Sequence, residues 1–225
     1  MTEDTFINTL VNRGLHGELP THAEALHLAE IDCCQALDDA AAKLRDHKHP
    51  TVITYSKKVF FPLTHLCRDV CHYCTFAQTP KHVEQPYLTI EDVISNAREA
   101  AAMGCKEALF TLGEKPEHRY STAKSALNKM GYPSTLHYLK DVAEKVFTET
   151  GILPHLNPGC MTAEELQMLK PVAASMGIML ESGADRLCEK GMPHFGSPDK
   201  VPAVRLATLE EAGKQNIPFT TGILI

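Results

Sequence analysis

From Val52 to the last residue, short runs rich in β-branched and aromatic side chains alternate with amphipathic stretches of helical period, and this limits the fold more than any other feature. Strand-like runs fall at Val52–Leu63, Glu107–Leu112, Ile152–Leu156, Ala174–Leu180 and from Ile217 onward. Between them, Thr89-Ile-Glu-Asp92 reads as a capping box ahead of Ile90, Val93, Ile94, Ala97 and Ala101, with Gly104 as the stop. Ser134 to Thr150 is amphipathic and ends at Gly151, Thr162-Ala-Glu-Glu165 caps another helix, and a last helix runs from about Asp199 to Ala212 before Gly213. Strand and helix in turn specify βαβ units, a parallel sheet and right-handed crossovers, here with five strands and four intervening helices. Reactive groups then belong in loops at the C-terminal strand ends. Gly113 to Ser134 reads as one long loop, long enough to carry function.

Ahead of this series, Leu26, Ala29, Ile31, Ala36, Leu37, Ala40 and Leu44 recur at helical spacing up to Arg45, and His47-Lys-His-Pro50 breaks the run. The expected organisation is an N-terminal helical extension over 1–50 and an α/β domain over 51–225. With 44% apolar and 22% charged residues in 225, the composition is that of a globular protein with a sizeable core. No apolar run could cross a bilayer, and Met1-Thr2-Glu3-Asp4 has acid where a signal peptide needs base, so a cytoplasmic protein with no membrane partner is expected. A net charge of -6, no Trp and no basic cluster interleaved with aromatics leave nucleic acid without an electrostatic footprint, which points to a small-molecule substrate. Gly222-Ile-Leu-Ile225 stops inside an apolar strand, so the α/β domain is expected to be incomplete at its C-terminus.

Eight cysteines in such a chain are not expected to be a disulfide framework, because cytosolic thiols stay reduced and a core of this size needs no staples. Cys33, Cys34, Cys105, Cys160 and Cys188 are scattered among apolar neighbours and read as small buried hydrophobes. Cys67, Cys71 and Cys74 instead fall within eight residues, just after the first strand. A structural zinc site needs four ligands and would have to recruit His65, His72 or a distant cysteine. Three thiolates suit a 4Fe-4S cubane with one iron left open, to which a cofactor can bind.

This triplet, with the aromatic Tyr73 before its last cysteine, resembles the signature of the radical S-adenosylmethionine (SAM) superfamily. The resemblance implies a partial TIM-type (βα)6 barrel, with about five strands present, and a reduced 4Fe-4S cluster that cleaves SAM to a 5'-deoxyadenosyl radical. It also implies cofactor contacts. Tyr73 would lie near the adenine, and Gly113 and Glu114 would stand where the family carries Gly-Gly-Glu, with the carboxylate accepting the methionine ammonium. Leu112 replaces the first of those glycines. Glu181 would contact the ribose, and Arg205, which alone reads as a surface helix residue, would meet the SAM carboxylate.

Phe61 to Phe76, Glu107 to Glu117, His155 to Gly159, Ser175 to Ser182, Gly196 to Lys200 and Pro218 to Ile225 narrow the resemblance to the deazaflavin-forming FO synthases (CofG-like, 7,8-didemethyl-8-hydroxy-5-deazariboflavin synthases). That implies hydrogen abstraction from a tyrosine-derived hydroxybenzyl-diaminouracil adduct and ring closure with loss of ammonia, toward coenzyme F-420. The implied partners are a tyrosine-joining FO synthase activity, either separate or a fused C-terminal half, and an external one-electron donor. His155 and Asn157, near a strand end, are candidates for lining the substrate pocket, as are Thr220 and Thr221. Sister radical SAM enzymes and a non-enzymatic zinc module are the competing readings.

Overall fold

Thr21 and Glu24 form a reciprocal capping box that fixes the start of a helix at His22, so the single helix expected from Leu26 to Arg45 is in fact two. These are α2 (His22–Ala29) and α3 (Cys34–Lys48), and α1 (Glu3–Leu15), capped by Thr2, precedes them. The computed structural model describes residues 2–32, 34–49 and 52–225. The expected burial of Cys33 and of the Cys34 side chain, and the break at Pro50, fall outside what it describes. The chain divides into two compact units, Met1–Tyr55 and Ser56–Ile225. In the first, Phe6, Ile7, Val11 and Ile31 form a small core supported by Leu10, Leu28, Leu37 and Leu44.

The second unit is a five-stranded, wholly parallel sheet in the order β1 (Lys58–Phe60), β2 (Glu107–Thr111), β3 (Leu153–Asn157), β4 (Ser175–Gly177), β5 (Phe219–Thr220). Its helices are α4 (Ile90–Ala102), α5 (Ser121–Met130), α6 (Thr135–Thr150), α7 (Ala163–Leu169) and α8 (Pro202–Lys214). Five helices therefore lie between the strands rather than four. The addition is α5, inside the stretch read as loop: Tyr120 gives it no side-chain cap and only Ala123 and Leu127 are buried, so its periodic signal is faint.

Strand β1 is also shorter than its composition suggests. Val52, Ile53 and Tyr55 are exposed, and pairing with β2 starts only where Lys58 meets Glu107. Thr89 accepts the Asp92 amide, but the Asp92 carboxylate takes the Thr89 hydroxyl instead of its backbone N–H, so half of that capping box forms; the Thr162–Glu165 box is complete. Helix α8 begins at Pro202, favoured in a first turn, and runs through Gly213, with Asn216 taking the left-handed turn at φ 51°.

Alternation along the strands divides the sheet into two chemically distinct faces. Ala108, Phe110, Leu156 and Met176 are fully buried in one core with Val93 and Ala97 of α4 and Leu139, Val142 and Val146 of α6. The opposite face of β2 and β3 carries Leu109, Thr111, His155 and Asn157, with Ser175 of β4 registered beside His155. No helix among the described residues is long and apolar enough to cross a membrane.

Candidate functional site

The chain leaving β1 folds into the cysteine loop, and its stem is pinned before any cysteine is placed. Gln78 donates its amide to the His65 carbonyl at 2.8 Å, Leu66 and Gln78 form a parallel bridge, and the His65 ring rests 4.4 Å from that of Phe76. Cys74 then turns back so that its amide reaches the Cys71 carbonyl at 3.1 Å. Cys67 and Cys71 are half-buried and Cys74 is exposed.

Three distant segments close on this loop. The end of β2 is the first: Gly113 donates to the Thr64 carbonyl, Arg68 donates to the Glu114 carbonyl, and a side chain at Gly113 would overlap the Leu66 carbonyl. Arg119 is the second, its guanidinium lying 3.2 to 3.5 Å from the carbonyl oxygens of Cys67, Arg68 and Asp69. The third is the segment 193–199. His72 donates to the Pro193 carbonyl at 2.9 Å, Val70 donates to the Ser197 hydroxyl at 3.0 Å, and Asp199 donates its amide to Asp69 Oδ1 at 3.2 Å.

The donor set fits an iron-sulfur cluster better than a lone ion. Each sulfur has a polar neighbour: the Glu114 amide 3.3 Å from Cys67 Sγ, the Ser197 hydroxyl 3.5 Å from Cys71 Sγ, and the Ala77 amide 3.4 Å from Cys74 Sγ; the Asp69 amide also faces Cys67 and the Tyr73 hydroxyl also faces Cys71. Thiolate ligands of one zinc would sit roughly 3.8 Å apart around bonds of about 2.3 Å. Among the described residues, the three ligand atoms within 4.8 Å of one another belong to Glu114, Cys160 and Asp199, not to the loop. As free thiols Cys67 and Cys71 are pushed up by burial, Cys67 to about 11, so iron must displace their protons on loading.

Beside the loop lies a cavity of about 690 Å³ lined by His72, Tyr73, Glu181, Ser182, Arg186 and His194, among others. The Tyr73 hydroxyl is 3.0 Å from His194 Nε2, and Glu181, at φ 65°, pairs with Lys200 at 2.7 Å. Tyr73 and Glu181 thus line the same cavity, whereas Gly113, Glu114 and Arg205 do not. Arg205 is not a surface residue: it is 3% exposed, donates to the Met179 carbonyl at 2.5 Å and to the Asp199 carbonyl at 3.0 Å, and lies 3.6 Å from Glu114 Oε2. Glu114 also accepts the Cys160 amide at 2.5 Å, packed where a side chain on Gly159, at φ 97°, would collide with it. Burial, with Asp199 and Asp69 nearby, pushes the Glu114 carboxyl up to about 7 against the pull of the Cys160 amide and Arg205. Asp69 is raised as well, by burial.

His155 lies apart from that cavity, its Nδ1 2.7 Å from the Ser175 hydroxyl, and Asn157 follows on the same sheet face. Thr220 packs against Gly177, and Thr221 accepts the Leu180 amide. Of the scattered cysteines, Cys105 and Cys160 are buried as expected, while Cys188 is only half-buried, on a short 3-10 turn. The sequence gives no role to Arg119 or His194, and marks Ser197 and Asp199 only as members of the Gly196 to Lys200 motif. Their contacts span about 50 to 130 residues, so no local spacing exposes them.

A parallel α/β half-barrel with a three-cysteine loop after its first strand defines a class of protein. The Radical SAM superfamily profile matches residues 61–225, and the chain belongs to that superfamily, whose cofactors are a 4Fe-4S cluster and SAM. It is 53% identical over 200 residues to the FO synthase of Streptomyces coelicolor, covering 84% of this chain and 23% of that protein. It is 48% identical over 174 residues to the 7,8-didemethyl-8-hydroxy-5-deazariboflavin synthase of Methanopyrus kandleri, covering 77% of this chain and 52% of that protein. The chain therefore spans about a quarter of the FO synthase and half of the second relative. Among solved structures, the FeFe-hydrogenase maturase HydG of Carboxydothermus hydrogenoformans superposes over 97% of this chain and 48% of its own (TM-score 0.73, 21% identity). Methylornithine synthase (PylB) does so over 95% of this chain and 58% of its own (TM-score 0.70, 19% identity), and both likenesses concern the fold.

Proposed function

We propose that this chain carries the deazaflavin-forming half of FO synthesis: hydrogen abstraction from a tyrosine-derived hydroxybenzyl-diaminouracil adduct, followed by ring closure with loss of ammonia. The observation that carries the reading is the 48% identity to a 7,8-didemethyl-8-hydroxy-5-deazariboflavin synthase, together with the braced three-cysteine loop. When bound, the cluster and SAM supply a 5'-deoxyadenosyl radical. Cys67, Cys71 and Cys74 would hold the irons. Tyr73 offers a ring to the adenine and Glu181 a carboxylate to the ribose, both from the walls of the cavity beside the loop. Glu114 and Arg205 would receive the methionine end of SAM, each exchanging part of its present mutual pairing for the ligand's ammonium or carboxylate. His155 and Asn157, on the polar face of the sheet, would meet the adduct. Burial depresses the basicity of the His155 imidazole, leaving a neutral ring that can accept a proton from the adduct.

The tyrosine-joining activity would be the partner, as a second polypeptide or another part of a longer one, a reading supported by relatives of about four times the matched length. A cytoplasmic setting and an external one-electron donor complete the proposal, since a cluster with a bare iron needs both protection and reduction. The test is anaerobic reconstitution followed by assay of iron, sulfide and 5'-deoxyadenosine. The native chain should hold about four irons and form deoxyadenosine under strong reductant, and Cys71→Ala should fall to background. Purified adduct should then give deazaflavin fluorescence. SAM cleavage without that product would refute the ring-closing assignment while leaving the superfamily chemistry intact.

A further inference from the structure

We propose that the Ser197 hydroxyl donates a hydrogen bond to the Cys71 sulfur and thereby raises the reduction potential of the cluster that Cys67, Cys71 and Cys74 hold. Ser197 is 3% exposed, and its oxygen lies 3.0 Å from the Val70 amide and 3.5 Å from Cys71 Sγ. A serine hydroxyl has one proton to give and lone pairs to receive. The Val70 N–H occupies a lone pair, so the proton is free for the sulfur. Once Cys71 ligates iron it is a thiolate with no proton of its own, and the hydroxyl becomes the sole possible donor between the two atoms.

The neighbouring sulfurs differ in one respect that makes Ser197 informative. Cys67 and Cys74 receive backbone amides, from Glu114 and Ala77, which no side-chain substitution removes. Cys71 has, besides the Tyr73 hydroxyl of its own loop, a side chain delivered from 126 residues away. Its position is set from both sides: Gly196, at φ 82°, packs so tightly on Val70 that a side chain there would meet its methyl, and the Ser197 amide is tied to the His194 carbonyl at 3.0 Å. Hydrogen bonds to cluster sulfurs favour the more negative, reduced state and are among the protein's means of setting its potential. Ser197 is in this sense a positioning and tuning residue, not one that touches substrate. The inference depends on the cluster and not on the ring-closing reaction.

The experiment is potentiometric titration of the reconstituted cluster in the native chain and in Ser197→Ala, Ser197→Thr and Ser197→Cys, with iron and sulfide measured in each. The alanine variant should be harder to reduce by tenfold or more in equilibrium constant, about 59 mV or more for a one-electron couple. Threonine should restore the native potential, and cysteine, a weaker donor of similar size, should fall between. In the reduced state, proton hyperfine spectroscopy after exchange into deuterated buffer should show an exchangeable coupling in the native and threonine proteins that alanine lacks, a difference that a purely structural tether would not produce. A loaded alanine variant with native potential and native couplings would overturn the proposal. If alanine fails to load, a cysteine variant with the native potential, or a threonine variant displaced from it, would do the same.

Discussion

Arg205 shows how one side chain can hold the site's framework. Its guanidinium reaches the Met179 carbonyl just beyond β4, the Asp199 carbonyl beside the cysteine loop and the Glu114 carboxylate after β2, so a single planar fork ties three segments. Arg205→Ala would remove the charge facing buried Glu114 and the donors to two carbonyls; breaking a fully charged buried pair costs about 3–5 kcal/mol, an upper bound here because a carboxyl already raised to about 7 can take up a proton instead. Urea denaturation of the protein without cluster should register that loss, and Arg205→Lys should recover only part of it, since an ammonium cannot span the same acceptors. His155 gives a pH signature of opposite origin. Burial lowers its pKa below the usual 6.5, with Lys58 adding to the effect, so the folded protein resists a proton that the unfolded chain accepts. Its contribution to stability is fully present above pH 6.5 and is lost as pH falls from there through the depressed folded value. His155→Gln should flatten that part of the stability profile, measured as the difference between variant and native urea midpoints from pH 7.5 down to 5; parallel profiles would show that the ring is free to protonate in place.

At the scale of elements, the decisive feature is how closely the end of β2 approaches the cysteine loop. Gly113 donates to Thr64 while its Cα faces the Leu66 carbonyl, and a methyl group there would meet backbone, which cannot rotate away. Gly113→Ala should therefore displace the loop, cost about 1–3 kcal/mol as overpacking does, and reduce iron retained after reconstitution and desalting. The helices that pack most apolar surface were the most legible in sequence. For α4 and α6, the buried positions Val93, Ile94, Ala97, Leu139, Val142 and Val146 follow the helical period, and Gly151 takes the left-handed turn its position implies. Elements with little to bury were not. Helix α5 hides two residues and reads as loop, while Val52, Ile53 and Tyr55 have strand-like composition but are exposed and unassigned to any strand. Strand propensity describes a fit to a half-buried surface, and where no partner strand exists it determines nothing.

At the scale of the whole barrel unit, the cysteine triplet and its position after β1 were legible because they are local, and the residues that brace it were hidden because they are not. Asp69 is matched by Asp199, Val70 by Ser197, His72 by Pro193 and Tyr73 by His194, so almost every residue between the cysteines is held by a segment some 120 to 130 positions later. One of these braces carries a cost: its two ends, Asp69 and Asp199, each bury a carboxylate oxygen without a hydrogen-bond partner, Asp199 Oδ2 lying 3.1 Å from Arg68 Nε but off line. An arrangement that buries oxygens without hydrogen-bond partners needs stabilisation from elsewhere, and a cluster bound to the folded loop alone would provide it by mass action. Removing the cluster with chelator and oxidant should therefore loosen both sides of the contact together. Hydrogen exchange should accelerate about tenfold or more at the amides of Val70, His72 and Asp199, equivalent to roughly 1.4 kcal/mol or more of lost protection. Amides in the middle of α6, buried far along the chain from these braces, should change little, and uniform acceleration across the unit would mean instead that the cluster supports the whole core and not this joint.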